Sequence, residues 1–389
     1  MELKWEYPLP TNVNSKDYQY ESPILENGKY VYFVNESERW QKLHIVDIKT
    51  GTGCSRLLQK SVNVLPSNHF SFSYGNKVVI YAGDLHFIQS GEVLRTIDFA
   101  QKGEITSYIL IHNRLYVSCS NGKNASLCCI NLDKMIFVWD LDISNSKPYR
   151  AGEITLFDGL ISCYGRDQLL LICPDSGKIV NALKISRIDK LFCPIRLDNN
   201  SMLIGYSNWT NAGILKYQIS TKKVLWRHKC KFEGPQLKCK IYRSKDKAFW
   251  VKNSTELICV DIESGEEIHQ LRTTPWLYTD LQFYQDNILY GTAGADGYLN
   301  CLDCETFRFR WSAFLKNGCA YYGICNDSIV TGDFDKTIKQ FSICDGRLIN
   351  EMPVDGEVVG RITISEGYLY TVIWGNSEKD IRLVKIQIS

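Results

Sequence analysis

Residues 257–268 read LICVDIESGEEI: an apolar run, a turn carrying Asp261, Ser264 and Gly265, then a second run. Apolar and β-branched residues flanking a glycine-closed turn read as two strands of a hairpin. The same unit returns as LHIVDIKTGTG (43–53), LHFIQSGEVL (85–94), LCCINLDKMIFVW (127–139) and LLLICPDSGKIV (169–180). It continues as LKYQISTKKVLW (215–226), LNCLDCETFRFRW (299–311) and IKQFSICDGRLI (338–349). A ninth first strand, IRLVKIQIS (381–389), has no partner strand after it.

With Val46, Ile88, Ile130, Ile172, Tyr217, Val260, Leu302, Phe341 and Val384 as anchors, the unit recurs every 39 to 45 residues. Most anchors follow another hairpin signal, such as Asp158-Gly159 or Glu366-Gly367. Four short strands in a period of about 42 residues is the arithmetic of a β-propeller blade. Runs that are apolar at every position, such as Val78-Val79-Ile80-Tyr81, suit a sheet covered on both faces. A lone blade cannot bury both faces, so blades must stack on one another. The expected fold is all-β: a single closed β-propeller domain over residues 1–389, with nine blades and eight as the alternative count. The last unit lacks its outer strand. Leu3-Lys4-Trp5-Glu6-Tyr7 resembles the outer strands near 223–227 and 309–312, so the N-terminal strand is expected to complete the ninth blade.

The 389 residues are 44% hydrophobic and 23% charged, which excludes a largely disordered chain. A net charge of +2 gives no global pull toward nucleic acid or membrane. No apolar run approaches the roughly 18 residues of a spanning helix. The first residues lack the pattern of a secretory signal. Fifteen cysteines, an odd number without regular spacing and often inside apolar runs, read as buried free thiols. These features together lead us to expect a reducing, cytoplasmic setting.

The turn segments resemble the repeats of the quinoprotein (PQQ-like) propellers, in which the unit is roughly Asp-x-x-(Thr/Ser)-Gly-x-x-x-Trp. Asp47-Ile48-Lys49-Thr50-Gly51 and Asp261-Ile262-Glu263-Ser264-Gly265 match its first half, and Trp139, Trp226 and Trp311 take the outer-strand position. No unit holds every element. Gly332-Asp333-Phe334-Asp335-Lys336-Thr337-Ile338 is similar to a WD repeat, and Val138-Trp139-Asp140 supplies a WD dipeptide about one strand late. The resemblance implies a propeller. For the dehydrogenases of that family it also implies a quinone at the ring's centre beneath a disulfide of adjacent cysteines. The adjacent pair Cys128-Cys129 falls inside a strand, where successive side chains point to opposite faces. No cluster of acids and amides suits their calcium ion. We therefore expect no quinone or other cofactor.

Other chemistry is sparse. Cys301-x-x-Cys304 is a single pair, whereas structural zinc takes four ligands, and Cys319 is the nearest further thiol. Cys230 and Cys239 bracket a loop between blades and read as packing residues. His44, His69, His86, His112, His228 and His269 are spread along the chain. No nucleophile elbow, His-Glu-x-x-His motif or phosphate-cradling loop occurs. No metal site is expected, and the chain reads as a non-enzyme.

Charge is distributed unevenly. From Lys216 to Lys252 twelve Lys and Arg face two acids, Glu233 and Asp246; from Asn253 to Thr306 ten acids face one base, Arg272. The bland account is mutual neutralisation by solvated pairs between adjacent blades. The functional account is a docking surface. Strand alternation places Arg227, Lys229 and Lys231 on one side of an outer strand, with Trp226, His228 and Cys230 on the other. Lys238 and Lys240 enter blade six, and Arg243, Lys245 and Lys247 sit at its first hairpin. These eight basic residues are the candidate partner site. The nearby Trp226, Phe232, Tyr242, Phe249 and Trp250 read as wedges between blades, not as a stacking platform for single-stranded nucleic acid. The expected function is a non-enzymatic propeller, its oligomeric state open with a monomer favoured, that binds an acidic protein surface as a regulatory scaffold or an immunity-type inhibitor. The alternative is a hydrolase or lyase with its site at the central channel.

Overall fold

Eight of the nine periods fold into a four-stranded antiparallel sheet whose strands neighbour one another in chain order. The computed structural model describes the chain apart from residues 10–22, 27, 37–40, 59–69, 145–153, 165–167, 186–187, 189, 209–210, 232–240, 253–254, 274–276, 278–280, 293–295, 317–320, 333–334, 360, 376, 378–379 and 389. Blades one to eight occupy 24–58, 70–97, 104–142, 155–184, 190–231, 241–272, 282–316 and 321–353. Blade nine is built from Tyr368–Trp374 and Ile381–Gln387, with the short strands Glu357–Val358 and Thr363–Ser365 on one edge and Glu2–Leu9 on the other. The fold is the expected β-propeller, with nine blades and not eight among the described residues. Among the described residues no helix is long and apolar enough to cross a membrane.

The chain divides into two compact units. Met1–Asp98 with Thr274–Ser389 holds blades one, two, seven, eight and nine; Phe99–Thr273 holds blades three to six.

In the first unit the N-terminal strand clasps the last blade. Glu2–Leu9 runs antiparallel to Ile381–Gln387, from Glu2 opposite Gln387 to Leu9 opposite Ile381. Trp5 and Leu9 enter one core with Val31 and Val46 of blade one and Val372 and Leu383 of blade nine. Arg382 pairs with Glu6 at 2.9 Å across the joined strands. The alternation of blade one explains the apolar runs. Val31 and Val46 face blade nine, while Tyr32, Leu43 and Ile45 face blade two.

One contact recurs in both units. Trp5, Trp139, Trp226 and Trp311 each lie over a glycine in the turn of the following blade: Gly51, Gly177, Gly265 and Gly346. Each indole Nε1 donates to a carbonyl of that turn: Ile48 (2.8 Å), Pro174 (2.9 Å), Ile262 (3.1 Å) and Ile343 (2.8 Å). The four glycines hold φ between +69° and +75°. A Cβ would stand 2.7 Å from the ring at Gly51 and Gly177, 2.6 Å at Gly346, and closer still at Gly265. Backbone conformation and space therefore both demand glycine. Blades three, five and seven, which supply three of the tryptophans, turn instead through Met135, Lys222 and Phe307 at φ of +54° to +56°. The two halves of the repeat motif thus meet across neighbouring blades, which is why no single unit carries both.

His44, 1% exposed, lies edge-on to Tyr7 of the clasping strand, 5.9 Å between ring centres. Burial, helped by the nearby Lys42 charge, lowers its imidazole pKa to about 4. The unfolded chain takes up this proton near pH 6.5 and the folded chain only near 4, so the unfolded state binds more protons between them. Stability should therefore fall as pH drops through that window, by at most about 3 kcal/mol from this residue. Urea unfolding of wild type and His44→Gln from pH 7 to 4 measures it. The wild type should lose more than the variant, and parallel curves would contradict a buried neutral histidine.

Candidate functional site

Blade five ends in the nine-residue strand Lys223–Lys231, an edge strand paired on one side only. A register shift between Lys216 and Tyr217 on its partner sets the alternation that follows. Arg227, Lys229 and Lys231 are exposed; Trp226, His228 and Cys230 take the half-buried side, as the sequence suggested. Trp226 is the docked indole. Because its ring is fixed on Gly265, every second residue after it faces blade six and the residues between face solvent.

The sequence grouped these charges with the first hairpin of blade six, and the structure separates them. The hairpin at 196–201 and the turn at 218–223 lie at one end of blade five, where Ser201 pairs with Gln218 and Gln218 with Lys223. Arg243 reaches that end. Its Nη1 donates to the carbonyls of Arg196 (3.1 Å) and Leu197 (3.4 Å), and its Nε to that of Lys245 (3.2 Å). Lys231 pairs with Asn211 at the opposite end of the sheet. Arg243 is thus a tie between blades five and six. Lys245 is an exposed turn residue with φ of +53°, and Lys247, only 9% exposed, is no rim charge. Exposure at a hairpin depends on what the adjacent blade places against it, which spacing alone does not reveal. Lys238 and Lys240, with Phe232, Glu233 and Cys239, lie outside the described residues.

Part of the charge polarity cancels between blades. Lys216 pairs with Glu263 at 2.8 Å. His228 Nε2 is hydrogen-bonded to Glu267 Oε2 at 3.1 Å. Lys252 and Glu256 pair at 2.9 Å within blade six. Among the described residues Lys229 and Lys231 enter no ion pair.

Behind the basic row is a grouping that the sequence reading missed. His228, Cys230 and Glu267 bring one ligand-type atom each to within 4.8 Å of one another. Burial raises the Cys230 thiol pKa to about 11, against an opposing pull from Lys252. The signal lay in register: with Trp226 on Gly265, His228 falls beside Glu267, each two residues further on. Of the other thiols, Cys54 and Cys344 are exposed, and the pairs singled out in the sequence are packed. Cys128 and Cys129 are buried on adjacent positions of Ala125–Asn131, and Cys301 and Cys304 are both buried. Each of the twelve cysteines whose side chains are described is free.

No protein-family profile matches the chain, and no curated protein sequence does. Solved structures do. The crystal structure of BamB from Moraxella catarrhalis aligns at 12% identity over 84% of this chain and 97% of its own, with a TM-score of 0.55. The computationally designed Ika8 protein aligns at 15% identity over 85% and 97%, also with a TM-score of 0.55. The quinohemoprotein alcohol dehydrogenase from Comamonas testosteroni aligns at 11% identity over 98% of this chain and 76% of its own, with a TM-score of 0.56. At such identities the likeness shows the fold alone, a β-propeller.

The two kinds of basic residue should separate experimentally. Arg243→Ala removes hydrogen bonds to three carbonyls and should cost about 1 to 2 kcal/mol in urea unfolding. Lys229→Ala and Lys231→Ala should stay within about 0.5 kcal/mol of wild type. Equal effects would mean that Arg243 is not a tie between blades.

Proposed function

We propose that this propeller works in the cytoplasm by binding another protein, catalyses no reaction, and receives an acidic surface on Arg227, Lys229 and Lys231. The observation that supports this most is the placement of those three charges. They occupy the solvent side of a strand whose other side is pinned to the next blade by Trp226. Alternate residues on a strand are about 7 Å apart. That is within a Debye length of about 8 Å at physiological salt, so the charges act on an approaching partner as one patch. A patch of this kind mainly raises the association rate, and the increase shrinks as salt rises.

A competing account is edge protection, since lysines on edge strands deter pairing between sheets. It needs no partner. The quinohemoprotein dehydrogenase shares the fold, yet fold alone carries no activity across. In this chain the cysteine pairs that would attract a catalytic reading are packed within blades.

The test is a partner captured by the wild-type chain, followed by association kinetics against ionic strength. Reversing Arg227, Lys229 and Lys231 to Glu should slow association at least tenfold at low salt and flatten the salt dependence, with dissociation changed much less. Equal rates and equal salt slopes would reduce the row to edge protection.

A further inference from the structure

We propose that His228, Cys230 and Glu267 form a binding site for one zinc-like divalent cation, which joins the outer strand of blade five to that of blade six. Imidazole nitrogen, thiolate sulfur and carboxylate oxygen are the three donor types that zinc takes, and this borderline-soft ion accepts them together. His228 and Cys230 leave Lys223–Lys231 on the same side, two positions apart, and Glu267 opens the strand Glu267–Arg272 opposite them.

The distances suit that ion. Ligand bonds of about 2.0 to 2.3 Å at a tetrahedral angle place nitrogen and oxygen about 3.3 Å apart, and sulfur about 3.6 Å from either. The observed Nε2 to Oε2 separation is 3.1 Å, and all three donor atoms lie within 4.8 Å of one another. Since no two donors are more than 4.8 Å apart, closing the set takes at most about 1 Å of movement at the thiol. The thiol proton leaves to solvent as the bond to the metal forms.

His228 Nδ1 is buried without a hydrogen-bond partner, and the ring stands edge-on to Trp250 at 6.2 Å. Nε2 is therefore the nitrogen turned to Glu267, where its N–H donates to Oε2 at 3.1 Å. A bound cation would take the place of that proton between the two atoms, with the ring proton then on Nδ1. The Glu267 side chain is 37% exposed, which gives the ion a path from solvent and a fourth ligand in water. The site depends on no reading of partner or function, since it rests on donor atoms and spacing alone.

The experiment uses the full chain, stripped by a chelator and then titrated with zinc alone in competition with a chromophoric chelator. Cobalt(II) serves as an optical probe. One equivalent of zinc should bind at micromolar concentration or below, and cobalt should give a thiolate-to-metal absorption band. Cys230→Ser should abolish that band and weaken zinc at least 100-fold; Glu267→Gln should weaken it at least tenfold. Glu267 is partly exposed, so Glu267→Gln keeps the test decisive even where Cys230→Ser folds poorly. Zinc-free Glu267→Gln should melt like the zinc-free wild type, and added zinc should raise the melting temperature of the wild type more. Absence of zinc binding, or binding of equal strength in Cys230→Ser and Glu267→Gln, would overturn the proposal.

Discussion

A tryptophan ring lying on a glycine of positive φ in the next blade is the contact on which the remaining architecture depends. It joins blade nine to one, three to four, five to six and seven to eight, using Trp5, Trp139, Trp226 and Trp311. Each ring covers backbone that no side chain could shield, and each indole N–H finds a carbonyl there, so no polar group is stranded. Burying such a ring is worth several kcal/mol by the measure of large-to-alanine substitutions. The same contact fixes register. With Trp5 seated, the N-terminal strand can close blade nine only in the observed alignment. With Trp226 seated, the side on which each later residue of its strand falls is already decided.

That register is what divides the site. Residues in step with Trp226 meet blade six, and there His228 and Cys230 find Glu267. Residues out of step carry Arg227, Lys229 and Lys231 into solvent. The charge imbalance visible along the chain thus has two fates. Lys216 and Glu263 are spent on holding blades together, as is Arg243 through its carbonyl contacts. The outward lysines remain available to a partner, and they stand on a strand held from behind. A fold shared at 11 to 15% identity with proteins as different as BamB and an alcohol dehydrogenase leaves function to such local features.

What could be read in the sequence was local in origin. Hairpin turns announce themselves through Gly, Asn and Asp, strands through alternation, and the period of about 42 residues through their repetition. Nine blades and the returning N-terminal strand followed from that arithmetic. The sides taken by Arg227 and His228 followed from strand alternation. The Trp–Gly pairing escaped because its two members stand on different blades, so each unit looked incomplete when read alone. Cys230 was weighed against Cys239, its neighbour in sequence, and not against Glu267, its neighbour in space. Arg243 looked like a free rim charge because nothing in its spacing told of Arg196 and Leu197 beside it.

The docking contact can be isolated by comparing two glycines of the same unit. Gly265 and Gly159 hold nearly equal φ, +75° and +71°, so alanine strains the backbone similarly at both. They differ in surroundings: a methyl at Gly265 would enter the Trp226 ring, while one at Gly159 meets nothing within 4 Å. Urea unfolding of Gly265→Ala and Gly159→Ala beside wild type separates strain from packing. If docking governs the register, Gly265→Ala should lose about 2 kcal/mol more than Gly159→Ala. Equal losses would contradict the account and leave Trp226 as one apolar contact among many.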